Sequence, residues 1–150
     1  MLISKAFIKG YRNLKEIELE LNRMVIFIGE NNSGKSNILK AITLPFLNNE
    51  IGSVNKNLRW DDINNELKEV YFEFIKSNIE KIMNDQIEIS EFQEVVPTVL
   101  VRVTFTPKGS DEFFVRKWNN SLDDIEGLYQ IEYRYIIENT KQLLEHLKII

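Results

Sequence analysis

The chain has 150 residues, 43% hydrophobic and 28% charged, with 19 Lys and Arg against 23 Asp and Glu for a net charge of −4. That size and balance fit one globular domain with a core and exclude a uniformly basic polyanion binder, though not a local basic strip. Zero cysteines exclude disulfides, thiolate metal sites and cysteine catalysis and fit a reducing cytoplasm, while no stretch of about 18 apolar residues or signal-peptide layout points to a membrane.

In chain order, Leu2–Lys9 reads as a strand and Gly10-Tyr11-Arg12-Asn13 as turn material. Glu16-Ile17-Glu18-Leu19-Glu20-Leu21 alternates strictly, as a half-buried antiparallel strand does. Asn22-Arg23 turns the chain into the apolar run Met24-Val25-Ile26-Phe27-Ile28, an expected strand. A helix is predicted from Lys35 to Phe46, limited near its end by Pro45. Asn48–Asn57 is an expected exposed loop. Trp60-Asp61-Asp62-Ile63 should lead into a helix with an aspartate as N-cap. From Asn64 to about Met83, Leu67, Val70, Tyr71, Phe74, Ile75, Ile79 and Ile82 recur at three and four, which predicts one amphipathic helix. Ile87–Val96 has no decisive period and is read as a short helix. Pro97 opens a β region with a strand over Val99–Thr106, a turn at Pro107–Asp111 and a returning strand at Glu112–Trp118. Tyr129–Tyr135 alternates as a further strand, and Ile137–Ile150 is expected to be helical.

Gly29-Glu30-Asn31-Asn32-Ser33-Gly34-Lys35-Ser36 matches the phosphate-binding pattern G-x-x-x-x-G-K-[ST] in full. At ordinary composition, a chain of this length would match it by accident roughly once in a few hundred cases. Strand before and helix after is the setting the motif needs. A triphosphate demands many donors in a small space, and inward-pointing backbone amides at Asn31, Asn32 and Ser33 can supply them. Gly29 and Gly34 permit positive φ and close approach of main chain to phosphate. Lys35 is the point charge for the β- and γ-phosphates, and Ser36 the expected ligand to Mg²⁺. The competing reading is a glycine-rich turn with a solvent-facing lysine, which the full motif in this setting disfavours.

The segment from Ile8-Lys9-Gly10-Tyr11-Arg12-Asn13-Leu14 through Ile17-Glu18-Leu19 to Ile26–Ile42 resembles the N-terminus of RecF/SMC-type ABC ATPases. Its Asn-Asn-Ser-Gly-Lys-Ser-Asn form resembles the OLD (overcoming lysogenization defect) nucleases and AAA-type relatives, including ATPases of anti-phage systems. The close match covers residues 2–44. The resemblance implies an α/β P-loop NTPase of ABC type, binding ATP and Mg²⁺ between two subunits of a homodimer, often coupled to DNA binding or cleavage. It nominates Arg12 as a nucleotide contact and Asn37 as a lining residue of the phosphate site. A solvated turn arginine is the alternative for Arg12.

The departures from that pattern matter as much. No LSGG-like signature, no apolar strand ending in Asp-Glu and no switch histidine is present, since Asp111-Glu112 follows Gly109-Ser110. The chain is therefore expected to be the N-terminal part of a head, or a short homologue. Strands and Walker A unit would occupy 1–47, a helical insert 48–96, and a β-hairpin, strand and terminal helix 97–150. Its partners would be the rest of that head, a second head and DNA. Gln93, Gln130 and Gln142 are candidates for the γ-phosphate-sensing glutamine of such heads. Asp61-Asp62 suits capping better than metal binding, because adjacent side chains diverge. His146 belongs on a surface, Tyr129, Tyr133 and Tyr135 suit a core, and the Lys and Glu of 66–81 form a solvated face. The leading expectation is ATP·Mg²⁺ binding with little hydrolysis. The alternatives are a self-sufficient small P-loop kinase or NTPase, disfavoured by two strands ahead of the loop, and an interaction module with a vestigial loop.

Overall fold

The computed structural model describes residues 2–31, 33–46, 58–106 and 129–149. Four strands, β1 (Leu2–Tyr11), β2 (Leu14–Glu20), β3 (Val99–Thr106) and β4 (Tyr129–Tyr135), form one antiparallel sheet in the order β2-β1-β3-β4. The period of two decides its faces. Ile17, Ile8, Val101 and Tyr133 lie in register across it, as do Leu19, Ala6, Val103 and Ile131. On that face Ala6, Ile8, Val99, Val101, Val103 and Phe105 are at most 3% exposed. Burying each large aliphatic stabilises the fold by about 1.5–3 kcal/mol. The other face carries charge: Lys9 pairs with Glu16 at 3.1 Å, and Glu132 takes Arg102 at 2.8 Å and Arg134 at 2.6 Å.

Helix α1 (Lys35–Thr43) covers the apolar face with Ile38 and Ala41, and a 3₁₀ turn, Leu44–Phe46, continues it to put Leu44 into the same core. A second core lies among α2 (Asn65–Ser77), α3 (Ile79–Met83), α4 (Ile89–Val95) and α5 (Thr140–Leu147). There Tyr71, Ile82, Ile87, Phe92, Val96 and Leu144 cluster around the fully buried Phe92 ring.

One short segment stitches the sheet to the helices. Tyr11 bridges Ile63, and the Asn64 N–H donates to the Gly10 carbonyl at 2.9 Å. The Asn64 side chain is 4% exposed; its Oδ1 accepts from the Glu66 N–H at 3.1 Å while its Nδ2 donates to the Arg12 carbonyl at 2.7 Å. Asn64 thus caps α2 and grips the β1–β2 turn at once. Asn64→Ala should cost about 1–3 kcal/mol, a lost cap plus a lost buried partner. Chemical denaturation with both helical and tryptophan signals would check it, and a loss below a few tenths would contradict the double role.

Several expected elements differ. Met24–Ile28 forms no strand: among the described residues no strand pairs with it, and Met24, Ile26 and Ile28 are 79%, 72% and 91% exposed. Only Phe27 of that run reaches the core. The long helix from Asn64 is broken at Asn78, whose φ of −118° is not helical and whose Nδ2 bonds the Phe74 carbonyl at 3.0 Å. A side chain competing for a helical carbonyl ends the run there. The cap of α2 is Asn64, because Asp62 is engaged elsewhere. The final helix is shorter than predicted, starting at Thr140 behind an Asn139 cap. Pro107–Asp111, Glu112–Trp118 and Asn48–Asn57 lie outside the described residues, and β3 pairs with β4. The short helix in 87–96, the sheet strands at 2–9, 16–21, 99–106 and 129–135, and the packing of Tyr129, Tyr133 and Tyr135 against the core all agree with expectation.

Candidate nucleotide-binding site

The site begins with a backbone requirement. Gly34, the residue before α1, has φ +96°. A Cβ there would stand 2.8 Å from the Asn13 side chain and 3.2 Å from Leu14 Cδ2, so both conformation and space demand glycine. Gly29 is not in the left-handed region, and its constraint is proximity, 3.0 Å from a built Cβ to Ser33 Oγ. The expectation of positive φ therefore holds at Gly34 and fails at Gly29.

Among the described residues no side chain caps the first turn of α1, and no acidic residue sits in it. Its first N–H groups and the positive end of the helix are thus available to an anion. Lys35 folds over the loop, with Nζ donating to the Gly29 carbonyl at 2.6 Å, the Glu30 carbonyl at 2.5 Å and Ser33 Oγ at 3.1 Å. The ammonium is held where loop oxygens converge, and a phosphate arriving over α1 can take over as its partner. This donor set fits a magnesium nucleotide: amides and Lys35 for phosphate oxygens, and the exposed Ser36 hydroxyl for the metal.

Arg12 approaches from the β1–β2 turn. Its φ is +50°, a region that residues with a Cβ adopt at a cost. Nε and Nη2 donate to Asp62 Oδ1 at 2.9 and 2.8 Å, and Nη1 donates to Asn37 Oδ1 at 3.2 Å. Asn37 Nδ2 in turn donates to Asn13 Oδ1 at 2.8 Å. The ion pair raises Arg12 further above its ordinary pKa. Burial pushes the Asp62 carboxyl up, but the Arg59 N–H and the Arg12 guanidinium outweigh it and hold the group below its ordinary value. A carboxyl depressed on folding stabilises above its unfolded pKa and loses that contribution as pH falls through the folded one. The stability gap between wild type and Asp62→Asn should therefore be constant through neutral pH and shrink below about pH 4. Urea midpoints measured against pH would show it; a gap that widened in acid would contradict the pairing.

These groups surround an open cleft of about 880 Å³ lined by Arg12, Asn31, Ser33, Gly34, Lys35, Ser36 and Asn37. Each was nominated from the sequence. Gly29 touches the site through Lys35, and Asn32 lies outside the described residues. Asn13, Asp61, Asp62, Ile63 and Asn65 also line the cleft and were not nominated for it. Asn13 carries a signal as part of the Tyr-Arg-Asn turn, and Asp61-Asp62 one that suits capping better than metal binding. None of the three candidate glutamines lines the cleft: Gln93 bonds Thr140 at 2.9 Å in the helical core, Gln130 lies in a shallow hollow on the sheet's charged face, and Gln142 sits in the first turn of α5. His146 is exposed, with Nδ1 2.9 Å from the Gln142 carbonyl. Among the described residues no group of three or more His, Asp or Glu could hold a metal ion, and no helix is long and apolar enough to cross a membrane.

A glycine loop on a helix start, facing an arginine from a neighbouring turn, makes a candidate nucleotide site in a protein of mixed α/β class. The family model of the AAA ATPase domain matches residues 1–149, and the chain belongs to that family. Membership implies a nucleotide, ordinarily with Mg²⁺. The chain is also similar to proteins named DNA replication and repair protein RecF. That of Leptospira interrogans is 27% identical over 168 aligned positions, covering 97% of this chain and 46% of the relative. That of Leptospira biflexa is 39% identical over 64 residues, 41% of this chain and 17% of the relative. That of Rickettsia massiliae is 55% identical over 38 residues, 25% of this chain and 11% of the relative. The chain thus spans less than half the length of these relatives. No solved structure matches.

Proposed function

We propose that the chain binds ATP·Mg²⁺ in the cleft above α1 and supplies the phosphate-gripping part of an ATPase head that works on DNA by ATP-gated dimerisation. The observation that carries this reading is the convergence of Lys35, Ser36, Asn37 and Arg12 on one cleft around an uncapped helix start. The RecF-named relatives support the connection to DNA replication and repair. The Asn-Asn-Ser-Gly-Lys-Ser-Asn loop favours an OLD-type head within the class, with roles in repair or anti-phage defence. Nuclease chemistry is not assigned to the described residues, which hold no acidic metal cluster.

The exposed apolar run Met24–Ile28 supports a further part of the proposal, that the head is completed by other polypeptide. Among the described residues no glutamine, Asp-Glu strand or histidine lines the cleft to orient an attacking water. Calorimetric titration with Mg·ATP should therefore give saturable binding, with ATP turnover no faster than that of Lys35→Ala. Turnover well above that background would overturn the half-site, and absence of binding would overturn the whole proposal.

A further inference from the structure

We infer that Asp62 is a positioning residue for nucleotide binding, holding Arg12 at the mouth of the phosphate cleft from a segment far along the chain. The inference rests on the proposed ATP site. Arg12 takes a conformation with positive φ, which persists only where its surroundings over-determine it. They do so from one side: the Arg12 N–H donates to the Asp62 carbonyl at 2.7 Å, and Asn64 Nδ2 holds the Arg12 carbonyl at 2.7 Å.

The side chain is fixed by the same residue. Asp62 Oδ1 accepts from both Nε and Nη2 of Arg12, while Asp62 Oδ2 accepts from the Arg59 N–H at 3.1 Å. The carboxylate is therefore anchored from behind by its own turn, Trp60–Asp62, before it grips the guanidinium. That grip turns Nη1 toward Asn37, one residue past the magnesium-side Ser36. A guanidinium has five N–H donors, and these contacts use three. The Arg12 side chain is 37% exposed and lines the cleft, so it faces an incoming phosphate already oriented. An unheld arginine would have to give up its rotamer freedom on binding.

A double-mutant cycle on Mg·ATP affinity tests this. Asp62→Ala should weaken binding about five- to tenfold. In an Arg12→Ala background the same change should alter affinity less than about twofold, because nothing remains to position. Asp62→Asn, which keeps the size and the acceptor for Arg59, serves where the alanine variant does not fold and should show the same dependence on Arg12. Equal losses in both backgrounds, unchanged affinity, or tighter binding through relief of Arg12 neutralisation would each overturn the role. A wild-type chain that binds no Mg·ATP would overturn the nucleotide reading itself, a separate and distinguishable result.

Discussion

Lys35→Ala should weaken Mg·ATP binding by roughly a hundredfold, the effect expected when a point charge on the β- and γ-phosphates is truncated in a partly enclosed site. Folding should be almost unaffected. The contacts of Nζ are with the Gly29 and Glu30 carbonyls and Ser33 Oγ, all exposed on the loop. Water can replace the ammonium on those oxygens. Calorimetry and a thermal melt on the same sample would separate the two quantities. Lost affinity with an unchanged melting temperature is the expected pair; retained affinity would mean that Lys35 does not touch the nucleotide.

Gly10→Ala should act on stability, by about 3 kcal/mol or more. Gly10 has φ +74°, and a Cβ there would stand 2.1 Å from the Thr98 carbonyl oxygen and 3.0 Å from Leu67 Cδ1. The first contact is with backbone, which cannot turn aside as a side-chain tip can. Positive φ and overpacking each cost about 1–3 kcal/mol. The damage should spread to the site, because the Gly10 carbonyl accepts the Asn64 N–H that aligns the Arg12 turn. Urea unfolding would measure the loss. A variant within 1 kcal/mol of wild type would show that β1 can shift at this point.

Legibility followed the range of the forces involved. The alternation at Glu16–Leu21, Val99–Thr106 and Tyr129–Tyr135 is a local signal, and it placed β2, β3 and β4 with their apolar residues on one face. The loop motif carries its chemistry in eight consecutive residues, and Asn31, Ser33, Gly34, Lys35 and Ser36 of it line one cleft. Arg12 and Asn37 came from the family resemblance, and the structure brings them into contact. What escaped was long-range. Asp62 lies 50 residues from Arg12, and Asn64 lies 52 from it, so no window along the chain could show either pairing. A short polar side chain is also ambiguous by itself: Asp62 and Asn64 suit a cap equally well, and the tertiary partner decides between them. Met24–Ile28 failed for a related reason, since an apolar run states a preference for pairing but not the presence of a neighbour.

That same run has a practical consequence for anyone preparing the chain alone. Met24-Val25-Ile26-Phe27-Ile28 is uncharged, rich in β-formers and free of proline, the composition that lets identical segments stack on one another. With its backbone outside the sheet and Ile28 91% exposed, one molecule offers the next a ready template. Concentrated samples should scatter light and clear only slowly on dilution. Ile28→Lys should raise the usable concentration several-fold while leaving the urea midpoint nearly where it was, since surface changes of this kind alter stability by about 0.5 kcal/mol or less. The segment that gives the loop its recognisable setting in the sequence is thus also the one from which self-association is expected.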